Sequence, residues 1–193
     1  MAEFKEVKDS GKRQEFKTGS VRDTDDGKGQ PHLIAGEAYA EVLDKANIKS
    51  NPLLLEILKR MFRYSTVVKD REANVNLIYE SINLIKLYIS ETEDKTYSSS
   101  LRRLAIHYSN GAKKYSKNNW RKGQPISRYY DSAMRHLWAC IDNKIDEDHP
   151  AALFWNLIAI IQTKIDVKKG YLSEELNDYP FTIEEVFNLN KGN

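Results

Sequence analysis

Apolar residues recur every three or four positions through most of this chain, and that period belongs to helices. Leu54, Leu55, Leu58, Met61 and Phe62 follow Asn51-Pro52, a start signal with proline in the first turn, and predict a helix through about Tyr64. Ala73, Leu77, Ile78, Ile82, Ile85 and Ile89 predict a longer one over residues 70–90. Ser98-Ser99-Ser100 would cap a helix from about Leu101 to Tyr115, with Leu104, Ala105, Tyr108 and Ala112 inward. Further helices are expected from Pro125 and Ser127 to about Ile141 and from Glu147 to Ile165, the latter burying Ala152, Trp155, Ala159 and Ile160. Ile34, Ala38, Val42 and Ala46 predict a helix over 34–46, and a short one is expected over Thr182 to Phe187. No period-two alternation persists, so the expected class is all-α, a compact multi-helix domain over residues 32–193.

Residues 1–31 read differently. Gly11, Gly19, Gly27, Gly29 and Pro31 interrupt a polar arm, and little regular structure is expected before His32. The glycines flanking Lys28 would let the backbone turn tightly near a ligand, or simply form a loop. The opening MAEFKEVKDSGKRQEF has no apolar core, which argues against a secretory signal. The longest apolar stretch, Ala151 to Ile161, is broken by Asn156 and is too short to span a bilayer. A lone cysteine, Cys140, excludes a disulfide framework and a cysteine zinc site, and a cytoplasmic location is the default expectation.

Charge is unevenly placed. Leu101 to His136 holds nine Lys or Arg and a single acid, Asp131, whereas Leu137 to the end holds five basic and ten acidic residues. The basic block attracts an anion: a nucleotide phosphate, a nucleic acid, or the acidic half of the same chain. Lys113-Lys114-Tyr115 followed by Asn119-Trp120-Arg121 suits an anionic ligand that carries an aromatic base, with cations on phosphate and a ring for stacking. A helix end balancing its dipole, with Trp120 as a core plug, would look the same. Arg128, Asp131 and Arg135 share one helix face, where Asp131 would hold a metal, orient the arginines, or pair with Arg135 at i,i+4. Asp146-Glu147-Asp148 precedes a helix and suits its N-terminus. His149 and Asn156 project from that apolar helix on one face, and with His136 and a carboxylate from 146–148 they could converge on a hard divalent cation.

Five segments in order carry a resemblance: Gly19-Ser-Val-Arg-Asp-Thr-Asp-Asp-Gly-Lys-Gly29, Leu104-Ala-Ile-His-Tyr-Ser-Asn-Gly-Ala-Lys-Lys-Tyr115, Asn119-Trp-Arg-Lys-Gly123, Ser127-Arg-Tyr-Tyr-Asp-Ser-Ala-Met-Arg-His-Leu137 and Asp146-Glu-Asp-His-Pro-Ala-Ala-Leu-Phe-Trp-Asn156. Together they resemble the small proteins, frequent in bacteriophage genomes, labelled dATP/dGTP diphosphohydrolase. The likeness covers about 19–34 and 101–163, with 35–100 interposed as a helical insertion that would serve as a lid, a dimer interface or a new surface. It implies metal-dependent cleavage of a purine deoxynucleoside triphosphate to monophosphate and pyrophosphate, with Mg²⁺ or Mn²⁺, in the host cytoplasm. The paired Glu-x-x-Glu and Glu-x-x-Asp helices of all-α pyrophosphohydrolases have no clear copy here. Expected nucleotide contacts are Arg22, Lys28, Lys113, Lys114, Asn119, Trp120, Arg128 and Arg135. Expected catalytic groups are Asp131, His136 and Asp148, and expected metal ligands Asp131, Asp148 and His149. The alternative is a non-catalytic sponge that sequesters a nucleotide immune signal of host defence. A homo-oligomer is expected, with neither membrane nor nucleic acid as partner.

Overall fold

The structure is a computed structural model that describes residues 11–24, 28–45, 50–92 and 97–187. Seven α-helices dominate it: α1 (Gly36–Lys45), α2 (Pro52–Tyr64), α3 (Val75–Thr92), α4 (Tyr97–Tyr115), α5 (Ile126–Ile141), α6 (His149–Lys168) and α7 (Ile183–Phe187). The all-α expectation holds. Among the described residues no helix is long and apolar enough to cross a membrane.

Helix α6 is the hub, with α5, α3 and α4 packed against it, while α2 lies along α3 and α5 and α1 along α2. The apolar stripes account for this arrangement. Leu54, Ile57, Leu58, Met61 and Phe62 of α2 and Ile78, Ile82, Ile85 and Ile89 of α3 join Tyr129, Met134, Leu137, Leu153, Leu157 and Ile160 in one continuous core. Burial of such side chains contributes roughly 1.5–3 kcal/mol each. The helix ends are closed by side chains. Asn51 accepts from the Leu53 N–H, Asp148 accepts from the Ala151 N–H, and Asp178 receives both the N–H and the hydroxyl of Ser127 at the start of α5.

None of the described residues of the segment 35–100 lines the cavity described below, and the segment is tied to the core by the Tyr130 hydroxyl donating to the Met61 carbonyl at 3.0 Å. Several local readings need correction. Helix α4 starts at Tyr97, so Ser99 and Ser100 are buried within its first turn instead of capping it, and Ala105 faces solvent. Ala73 sits in the turn before α3. In α1 the inward residues are Ala40 and Leu43, with Val42 58% exposed, because α1 covers only the edge of α2; Ala46 lies outside the described residues.

The larger correction concerns the arm. Residues 13–23 form an antiparallel hairpin of β1 (Arg13–Glu15) and β2 (Val21–Asp23), with Gln14 opposite Arg22. Its turn closes by Phe16 N–H to the Ser20 carbonyl at 2.9 Å and Gly19 N–H to the Phe16 carbonyl at 2.8 Å, with Gly19 at φ +74°. Side chains from the distant α4–α5 connection then fix it. The Asn119 amide exchanges two hydrogen bonds with the Val21 backbone (3.0 and 2.8 Å), Lys122 donates to the Gly19 carbonyl, and Thr18 donates to that of Gly123.

Candidate functional site

The hairpin, the second half of α4, the 3₁₀ turn Asn119–Lys122, α5 and the start of α6 enclose a cavity of about 580 Å³. That volume suits one small-molecule ligand. Cations, histidines and aromatic rings share its wall.

Strand β2 places Arg22 at the inner end. Its guanidinium donates to Gln124 Oε1 at 3.2 Å and Asn156 Oδ1 at 2.9 Å, and lies 5.5 and 5.9 Å from the Tyr129 and Trp155 ring centres. Both acceptors are neutral amides, and among the described residues no carboxylate pairs with it. Burial lowers its pKa, against raising influences from Tyr129, Tyr115, Asp131 and Asp23. Among the described residues Arg135 donates to the Gly29 carbonyl, at 3.3 Å, and burial with Arg22 nearby brings its pKa down to about 10. Lys28 is exposed at the mouth; desolvation depresses its ammonium, opposed by Asp23 and reinforced by Arg135, Arg22 and Lys114. Among the described residues Lys114 alone of these cations has a carboxylate, Asp23 at 3.1 Å, which it shares with Arg13.

The opposite wall holds a histidine cluster. His136 Nδ1 and His149 Nδ1 are 3.1 Å apart, and Glu147 Oε1 lies 3.5 Å from each. Behind them Asp146 Oδ1 is 2.9 Å from His149 Nε2. The carboxylate favours a proton on Nε2, which leaves His149 Nδ1 as a lone pair facing the cluster. Burial, then His149 and His107, push the His136 pKa well below its ordinary value, so its ring is neutral. His107 packs against Trp155 at 5.8 Å, and burial brings its pKa down to about 4. Among the described residues, His136, Glu147 and His149 bring one ligand atom each within 4.8 Å of one another, close enough to hold a cation.

Of the residues expected from the sequence, Arg22, Lys28, Lys114, Asn119, Trp120, Arg135, His136 and His149 line this one cavity. Asn119 is buried with its amide spent on Val21. Trp120 meets Tyr108 edge-on at 5.5 Å, and Arg121 covers one of its faces at 4.7 Å. Four residues do not line the cavity. Lys113 is exposed on α4. Arg128 is buried and donates to Gln14 Oε1 at 3.0 Å, so it braces the hairpin from outside. Asp131 is fully buried and takes the His32 N–H at 2.7 Å and His32 Nδ1 at 2.9 Å, a latch on the chain entering α1. It does not form the i,i+4 pair with Arg135. Asp148 caps α6 and grips Arg103 with both oxygens, Nε at 3.0 Å.

The carboxylates that do face the cavity are Asp23, Asp146 and Glu147. Glu147 was hidden in an acidic run that helix capping already explains, and His107 in an ordinary amphipathic pattern. The polar face of His149 and Asn156 was the usable signal. Asn156 spends its amide N–H on the Ala152 carbonyl and its oxygen on Arg22, and His149 faces the cluster.

Residues 86–171 match the family model described as dATP/dGTP diphosphohydrolase, N-terminal. No curated protein and no solved structure matches the chain. The matched span begins inside α3, so residues 86–100, read from the sequence as insertion, belong to it, whereas the hairpin does not. It contains every cavity-lining residue except Val21, Arg22, Asp23 and Lys28. Over residues 86–171, somewhat under half of its length, the chain is similar to the dATP/dGTP diphosphohydrolase N-terminal family.

Proposed function

We propose that the cavity binds a purine deoxynucleoside triphosphate and that the chain hydrolyses it to monophosphate and pyrophosphate, with Mg²⁺ or Mn²⁺ as the expected cation. The observation that carries this reading is the pairing, in one cavity, of two arginines that have no carboxylate partner among the described residues, Arg22 and Arg135, with Lys28 exposed at the mouth and the His136, Glu147 and His149 cluster opposite. An inward cation with only neutral acceptors is costly unless a ligand brings negative charge. A triphosphate supplies that charge, and guanidinium groups bind phosphate oxygens bidentately. Tyr108, Trp120 and Trp155 offer apolar and edge contacts to a base.

In this reading Arg22, fixed by Gln124 and Asn156, and Arg135 hold the phosphate chain and stabilise negative charge that builds up as pyrophosphate leaves. Glu147 and the two histidines occupy the position from which an attacking water would be oriented. A divalent cation bound there would supply Lewis-acid activation of water and charge neutralisation at phosphorus. Asp131 and Asp148, expected from the sequence to be catalytic, keep positioning roles: one fastens the chain before α1, the other fixes the start of α6 beside His149.

Binding without turnover is favoured by one observation. Asp23 is committed to Arg13 and Lys114, and Asp146 to His149, so few carboxylates are left for catalysis. Incubation with a panel of nucleotides plus Mg²⁺ or Mn²⁺, then chromatography of the ligand released by heat, decides between them. Monophosphate with pyrophosphate from dATP or dGTP is the expected result. Intact nucleotide after long incubation with both metals overturns hydrolysis, and no bound nucleotide overturns the reading altogether.

A further inference from the structure

We infer that His136, Glu147 and His149 form a mixed nitrogen and oxygen site that takes a borderline transition cation, Zn²⁺, Co²⁺ or Mn²⁺, in preference to Mg²⁺. The inference deepens the proposed hydrolysis and rests on it only for the use made of the cation. Donor chemistry is the first argument. Two of the three converging ligand atoms are imidazole nitrogens. Magnesium favours oxygen and retains its waters, whereas imidazole suits the later first-row ions.

Spacing is the second argument. Donor atoms about 2.1 Å from one ion lie roughly 3.0–3.4 Å apart at octahedral to tetrahedral angles. The two Nδ1 atoms are 3.1 Å apart, and Glu147 Oε1 is 3.5 Å from both. The third argument is the support behind the ligands. Asp146 at His149 Nε2 sets the tautomer that exposes Nδ1, as a carboxylate behind a metal-bound histidine does. His149 is the first residue of α6 and follows the Asp148 cap held by Arg103, so its backbone is fixed. The group also opens onto the cavity, where a ligand phosphate would meet the same cation.

The test uses the full chain, stripped with a chelator and dialysed. Calorimetric titrations with Zn²⁺, Co²⁺, Mn²⁺ and Mg²⁺ should each be run without nucleotide. We expect one site, with affinity rising from Mn²⁺ through Co²⁺ to Zn²⁺ and Mg²⁺ at least about tenfold weaker than Mn²⁺. Glu147→Gln should weaken Co²⁺ binding about tenfold or more and alter the visible absorption of the Co²⁺ form. Asp142→Asn, exposed just beyond α5, should change neither. His149→Ala removes a buried ring, so its effect counts only with unchanged circular dichroism; Glu147→Gln, which keeps the shape of a largely buried side chain, carries the test if that variant misfolds.

Equal affinity for Mg²⁺ and Mn²⁺, or Co²⁺ binding untouched by Glu147→Gln, would overturn the site. A proton bridging the two imidazoles would then explain their approach. Co²⁺ bound at the three residues with no nucleotide cleaved by any metal form would leave the site standing and sink the hydrolase. Mg²⁺-supported cleavage retained in Glu147→Gln would do the reverse.

Discussion

Two parts of this molecule treat charge in opposite ways. Across the layer that includes α2 and α3, cations meet carboxylates near the surface: Arg60 with Glu56 and Glu80, Arg63 with Asp44, Lys59 with Asp44 and Glu56, and Arg71 with Glu185. Lys164 of α6 joins the pattern by reaching Glu72 at 2.9 Å. Around the cavity, Arg22 and Arg135 meet only neutral oxygens, and Lys28 meets no acid among the described residues. A paired surface cation is nearly neutral in energy. An unpaired, partly buried one disfavours the fold and is the kind of cost a binding site imposes. The contrast separates a scaffold from a site without reference to sequence motifs.

The largest expected effect breaks the contrast at its center. Arg22→Ala or Arg135→Ala should weaken dATP or dGTP binding about 5–150-fold, the loss of a charge-assisted hydrogen bond worth roughly 1–3 kcal/mol. Melting temperature should stay level or rise, since an uncompensated charge is removed. Arg128→Ala sharpens the same point. It touches Gln14 and not the cavity, so it should lower stability while a correctly folded variant keeps its affinity. Equal affinity loss in Arg128→Ala and Arg135→Ala would erase the distinction.

Asp131→Asn comes next. It keeps the shape of the latch but removes the charge that receives the His32 backbone and ring. Stability should fall by about 1.5–3 kcal/mol by denaturant titration, with turnover per folded molecule preserved. A hundredfold loss of turnover at unchanged stability would return Asp131 to the chemistry.

How much of this was legible depends on how far apart the partners lie in sequence. The α2 stripe, the α5 pattern and the apolar run of α6 are local and were read closely. The hairpin was not, because what orders it comes from Asn119, Lys122 and Gly123, about a hundred residues away by the register of their hydrogen bonds. Asp131 misled for the same reason. Its spacing to Arg135 advertised a helix-surface pair, whereas its true partner His32 is 99 positions distant. Eight of the expected residues line one cavity because ordered motifs marked that part of the chain. Glu147 escaped because three adjacent acids before a helix all look like caps, and only one of them, Asp148, has its oxygen on the Ala151 N–H.

A smaller effect should follow pH. Burial lowers the His107 pKa to about 4, while in the unfolded chain it returns to about 6.5. Between these values the unfolded state binds the extra proton, so stability is full above 6.5 and declines as pH falls toward 4. From pH 7.5 to 5.5 this single group should cost about 1 kcal/mol, and His107→Gln should remove that part of the slope. An identical slope in the variant would show that His107 is solvated in the folded protein.

The smallest effect belongs to the scaffold, and it is the control on which the opening contrast depends. Arg60 bonds Glu56 at 2.6 Å and Glu80 at 2.8 Å, better geometry than any cavity cation has. If good geometry alone measured importance, Arg60→Ala would be the most damaging change in the chain. Screening by water and the entropy of two long side chains argue otherwise, and such pairs contribute about 0–1 kcal/mol. Stability should therefore shift by no more than about 1 kcal/mol, and less in high salt, with nucleotide affinity unchanged because Arg60 and the other described residues of the segment 35–100 line no part of the cavity. A larger loss of affinity in Arg60→Ala than in Arg22→Ala would mean that the supporting layer, and not the unpaired cations, sets the shape of the site.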